Sequence, residues 1–191
     1  RQTGRMMIEL ETLFLNEKPD IVLVYGDTNS TLAAALAAVK LHIPVAHVEA
    51  GPRMCDKKIP EEVNRVLTDR ISTLLFAPTP ACLHNLHQEG LSEEAYLTGD
   101  VMLDCFLHFS REAEKRTQII KKLGVEHGGY LLATVHRASN TDARENLEEI
   151  CAAFAKLAQD IKLVFPVHPR TEKYLREYDL YQTLAGTPNI I

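Results

Sequence analysis

Residues 21–25, Ile-Val-Leu-Val-Tyr, form an unbroken apolar run. The run is too short for a helix and lacks the polar alternation of a half-exposed strand, so it reads as a strand buried on both faces of a parallel sheet. Residues 44–48 read as the next strand, 76–79 as a short strand and 96–100 as the last of the set, and stretches of helical spacing separate them. Strand–helix alternation with short connections specifies an α/β chain, with a parallel sheet and helices on both faces. A second series follows, with strands at 130–135, 162–167 and 189–191 and helices at 143–158 and 171–178.

The helices can be placed from their apolar spacing. Met6, Met7, Leu10, Leu13 and Phe14 predict a helix over 4–16, broken at Pro19. Residues 30–41 are Ala-rich and can pack close to a sheet. Pro60 suits the first turn of a helix whose buried stripe would be Val63, Val66, Leu67, Ile71, Leu74 and Leu75. A more polar helix over 101–123 ends at Gly124 and reads as a bridge. The expected organisation is therefore the end of a first domain (1–100), a linker helix (101–124) and the start of a second domain (125–191). Arg1 falls inside a helical pattern and residues 189–191 look like the beginning of a strand, so we expect a fragment of a longer chain.

Composition removes several function classes. The net charge is -5 with no basic run, which argues against a nucleic-acid partner. The longest apolar run, 32–41, already contains Lys40 and is too short to span a membrane. No signal-peptide pattern is present. Cys55, Cys82, Cys105 and Cys151 are far apart without a CxxC, so they read as free thiols of a reducing compartment rather than disulfides or metal ligands. No GxGxxG, Walker loop or GxSxG occurs.

Chemistry is to be sought where strands run out, because open α/β sheets bind ligands beyond their carboxyl ends. Asp27 follows the first strand, and its position also suits a helix N-cap. Glu49 ends the second strand beside Ala50-Gly51, where no capping role is evident. Glu61 and Glu62 lie in a first helical turn, where acids oppose the helix dipole, and Glu61 stands four residues before Arg65. Arg53 is a candidate anion ligand or a solvated charge. His136 with Arg137, and His168 with Arg170, end two strands of the second series and would make a cationic rim suited to phosphate. Carboxylates on one sheet and His/Arg groups on the other would suit a phosphorylated substrate held in a cleft between them.

At these residues the chain resembles the non-hydrolysing UDP-N-acetylglucosamine 2-epimerases. The resemblance rests on Gly26-Asp27-Thr28, His47-Val48-Glu49-Ala50-Gly51 with Arg53, and Pro60-Glu61-Glu62 with Asn64-Arg65. Thr98-Gly99 with Asp104, Thr134-Val135-His136-Arg137 with Asn140, and Pro166-Val167-His168-Pro169 continue in order. It implies two Rossmann-like domains of GT-B type, present here in part. It implies interconversion of UDP-GlcNAc and UDP-ManNAc by elimination and re-addition of UDP, with no cofactor and no metal. Carried over, Asp27, Glu49, Glu61 and His136 are catalytic, and Arg53, Arg65, Arg137 and His168 bind substrate. The resemblance also implies a cytoplasmic homodimer when full length. The alternatives are a hydrolysing epimerase, a GT-B glycosyltransferase and a non-catalytic sugar-nucleotide binder. The chain departs from the family pattern at Pro52, Met54-Cys55, Asp100 and Ser139.

Overall fold

The computed structural model describes all 191 residues. They divide into two compact units, Arg1–Ser110 and Arg111–Ile191.

In the first unit, β1 (Val22–Tyr25), β2 (Val45–Val48), β3 (Leu74–Ala77) and β4 (Ala95–Leu97) form one parallel sheet in sequence order. Helix α1 (Gln2–Glu17) precedes β1, and α2 (Asn29–Lys40), α3 (Pro60–Ile71) and α4 (Pro80–Gln88) are the crossovers. Right-handed crossovers between successive neighbours place their helices on one side of a sheet. Burial agrees. Val24, Val45, His47, Leu75 and Ala77 share that face and are buried, while Leu23, Tyr25 and Tyr96 on the opposite face are exposed. Helices on both faces were expected from the alternation; here one face is covered. The core joins Phe14 of α1, Ala35, Ala37 and Ala38 of α2, and Val24 and Val45. A second cluster sets Leu86 of α4 against Ala50, Leu75 and Ala77.

Helix α3 differs from its sequence reading in two ways. It stops at Ile71, so Leu74 and Leu75 begin β3 instead of extending the helical stripe. It also buries its polar side: Glu62, Asn64, Arg65, Thr68 and Asp69 are buried, while Val63 and Leu67 are exposed.

The expected linker helix is two helices. α5 (Val101–Arg116) contains the division between the units, and no residue of it is buried. α6 (Ile119–Lys122) follows; its N-cap, Gln118, makes no side-chain capping bond, and the Thr117 hydroxyl before it accepts from the Ile119 N–H. In the second unit β5 (Tyr130–Leu132) pairs in parallel with β6 (Lys162–Val164), and Ile190 bridges to Leu163. Helices α7 (Ala138–Thr141), α8 (Arg144–Leu157), α9 (Pro169–Glu177) and α10 (Tyr181–Ala185) complete it. The short α7 and α10 have no counterpart in the sequence reading. Leu147, Leu163, Phe165, Leu175 and Leu184 are the centre of this unit's core. No helix is long and apolar enough to cross a membrane.

Candidate functional site

The carboxyl ends of β1 and β2 bring Asp27 and Glu49 into one charged cluster. Asp27 does not cap α2. Thr28 does, accepting from the Thr31 N–H, which frees Asp27 to face α3. There the Asp27 carboxylate accepts from Nε and Nη2 of Arg65. Nη1 of Arg65 donates to Glu62 at 3.1 Å, and Nδ2 of Asn64 donates to the Asp27 carbonyl at 2.9 Å. Arg65 thus pairs with Asp27 and Glu62, not with Glu61 as its spacing suggested. Glu61 is exposed in the first turn of α3 and takes part in none of these contacts.

Glu49 sits at φ 71, a left-handed conformation that costs a non-glycine residue free energy. Such strain persists only where the surroundings over-determine it. Here the N–H groups of Glu49 and Ala50 both donate to the Phe76 carbonyl at 3.1 Å, locking the turn to β3. Gly51 follows at φ 91, and a Cβ there would stand 2.4 Å from the Cys82 carbonyl oxygen. Only glycine fits. The turn therefore presents the Glu49 carboxyl at the sheet edge, open to solvent on one side. Partial burial raises its pKa above the usual carboxylate range; the charges of Asp27 and Asp100 raise it further, while Arg65 and His47 oppose the shift.

Arg53, expected as a substrate contact, is engaged within the fold. Its side chain is 8% exposed and lies against Asp69 at 2.8 Å and Glu89 at 2.6 Å. Burial works against its charge, but these two carboxylates outweigh burial and hold the guanidinium firmly protonated. Asp69 and Glu89 were not singled out from the sequence, and Glu62 was read as a first-turn acid opposing the helix dipole. Glu62 accepts from the N–H groups of Met54 (3.1 Å) and Cys55 (2.9 Å), which fixes the loop entering α3. One signal could have found Glu62 and Asp69. Positions 62, 65 and 69 are charged at i, i+3 and i+7, so they share one helix face.

In the second unit, His136 and His168 follow the adjacent strands β5 and β6, with ring centroids 5.8 Å apart. His168 caps α9, its Nδ1 accepting from the Arg170 N–H at 3.1 Å, which leaves Nε2 free to donate outward. Arg170 is engaged by Asp142 at 2.6 Å. Arg137 is exposed and forms no ion pair, so it is the cation beside His136 that an anion could reach. No group of three His, Cys, Asp or Glu residues is arranged to hold a metal ion. The four cysteines are unpaired.

A family model described as UDP-N-acetylglucosamine 2-epimerase matches residues 1–190. A "UDP-N-acetylglucosamine 2-epimerase homolog" of Methanococcus maripaludis is 51% identical over 190 residues, which is 99% of this chain and 53% of that protein. A UDP-2,3-diacetamido-2,3-dideoxy-D-glucuronate 2-epimerase of Pseudomonas aeruginosa is 45% identical over 184 residues, 94% of this chain and 51% of that protein. Among solved structures, the UDP-GlcNAc 2-epimerase of Methanocaldococcus jannaschii in complex with UDP-GlcNAc and UDP superposes with a TM-score of 0.87 at 43% identity. It covers 99% of this chain and 53% of that one. The chain spans about half the length of the relatives it matches.

Proposed function

The chain belongs to the UDP-N-acetylglucosamine 2-epimerase family, and from that premise we propose that the whole protein inverts C2 of UDP-N-acetylglucosamine, giving UDP-N-acetylmannosamine, as a cytoplasmic homodimer. The observation that carries the reading is Glu49, held in a strained conformation at the sheet edge with its pKa raised beside Asp27 and Asp100. A carboxylate tuned upward is a better base than a solvated one, and proton transfer works best when the base is poised toward the working pH.

The C2 proton of a 2-acetamido sugar is poorly acidic, so departure of UDP leads. The C1–O bond breaks and its electron pair leaves on the diphosphate. The C2–H electrons then form the C1=C2 bond, and the proton passes to a carboxylate. Re-addition reverses these steps with the proton delivered to the other face of C2, so the sum is redox-neutral. Glu49, Asp27 and Glu61 are the acid/base set in this reading. His136 contacts the leaving phosphate, and Arg137 and His168 bind the nucleotide. Arg65 acts through Asp27, holding its carboxylate in place.

The Pseudomonas relative supports a second reading, the same C2 inversion on a diacetamido glucuronate. The test incubates the whole protein with UDP-GlcNAc and, in parallel, with UDP-2,3-diacetamido-2,3-dideoxy-D-glucuronate. Formation of UDP-ManNAc supports the first reading, and turnover of the second sugar alone supports the other. Free ManNAc with UDP would move the protein to the hydrolysing class. Saturable UDP binding without chemistry, or transfer to an acceptor, would sink both.

A further inference from the structure

His47 has no exposed surface, and both of its ring nitrogens are engaged. Nε2 lies 2.7 Å from the carbonyl oxygen of Gly26; a carbonyl can only accept, so Nε2 carries a hydrogen. Nδ1 lies 2.7 Å from Oδ1 of Asp69. Oδ2 of the same carboxyl accepts from the Gly51 N–H at 3.1 Å and lies 2.8 Å from Nη1 of Arg53. Two donors on Oδ2 favour the ionised carboxylate, which leaves Nδ1 of His47 to donate. Asp69 is fully buried, and Arg53, its guanidinium partner, is shared with Glu89, which Arg70 also approaches at 3.8 Å.

We infer that His47 is a buried imidazolium and a positioning residue, which ties the turn carrying Asp27 to the turn carrying Glu49. Its catalytic consequence rests on the function proposed above; its protonation does not. Gly26 immediately precedes Asp27, and Glu49 stands two residues beyond His47. Asp69 on α3 holds both the ring and the Gly51 N–H. The ring is satisfied only when both turns and α3 are in register, so the separation of the two carboxylates is set from beneath. The groups facing the ring are the Gly26 carbonyl on one side and Asp69 on the other, with Arg53 beyond Asp69 and Glu49 at the strand end.

The test uses the whole protein with its histidine rings labelled with 15N, near neutral pH. The ring signals of His47 are identified by their loss in His47→Gln. Both nitrogens are expected to appear as N–H. Asp69→Asn keeps the shape, since the amide oxygen still accepts from Gly51 and Arg53 while its NH2 faces Nδ1. That variant is expected to show N–H at Nε2 alone. Its kcat should fall roughly 10- to 100-fold, the scale of a misplaced catalytic group, with KM within about twofold because ground-state binding is untouched. An unprotonated ring nitrogen in the unsubstituted protein overturns the imidazolium, whether or not Asp69→Asn folds. Unchanged kcat in a folded Asp69→Asn with a neutral ring overturns the positioning role. If the ring carries both hydrogens but the protein inverts no UDP-sugar, the imidazolium stands and the functional reading is what fails.

Discussion

At the scale of the residue, Glu49 sits where its charge is disfavoured. A carboxyl whose folded-state pKa is raised binds its proton more tightly folded than unfolded. Its contribution to stability is full below the unfolded value, near 4.5, and is lost as pH rises through the folded value. Glu49→Gln escapes that loss. It should melt higher than the unsubstituted protein near neutral pH and alike below about 4.5, while kcat falls roughly 100- to 10,000-fold. A stability loss together with retained turnover would contradict this. Asp100 raises the Glu49 pKa by charge and also caps α5 through the Met102 and Leu103 N–H groups. Asn caps as well as Asp. Asp100→Asn should therefore leave the melting temperature almost unchanged and move the acid limb of the pH–rate profile to lower pH. Glu49 was legible in the sequence because nothing structural accounted for a carboxylate at that strand end. Asp27 was less so, since its capping alternative failed only once Thr28 was seen to do that job.

At the scale of the element, α3 organises the site and was read with the wrong face inward. Its hydrophobic spacing suggested a buried Val63/Leu67 stripe, the usual arrangement for a helix on a sheet. Instead Glu62, Arg65 and Asp69 turn inward because each meets a partner from another segment: the Met54–Cys55 backbone, Asp27 and His47. Hydrophobic periodicity finds apolar faces; the charged face at 62, 65 and 69 shows in the spacing, but its burial depends on partners such as Asp27, 38 residues away. Arg65→Ala strips Asp27 and the buried Glu62 of their cation and should cost about 3 kcal/mol in urea unfolding. Arg144→Ala, which breaks an exposed pair with Glu148, should cost nothing measurable. The turn after β2 offers a second comparison. Gly51→Ala combines positive φ with a backbone clash and should cost about 3 kcal/mol. Gly90→Ala, at φ 77 in open space, should cost about 1 kcal/mol.

At the scale of the whole molecule, the alternation of short apolar runs with helical stretches was enough to reach a parallel α/β fold, and the order of motifs reached the family. What the alternation could not reveal was coverage. Leu23, Tyr25 and Tyr96 lie on a bare sheet face, and Met102, Phe106 and Phe109 stand exposed on α5. Apolar surface left open in this way favours association. We propose that the 191-residue chain, which spans about half the length of its relatives, by itself self-associates in sedimentation experiments, binds UDP weakly and does not turn over. Robust epimerisation by this chain alone would show that the essential binding groups already lie within it. Proton transfer at C2 by carboxylates of the first unit can be followed with the whole protein and UDP-GlcNAc in deuterated water. UDP-ManNAc is expected to carry deuterium at C2 and at no other carbon, with exchange lost in Glu49→Gln. Product without solvent deuterium at C2, or no inversion of the sugar at all, would contradict it.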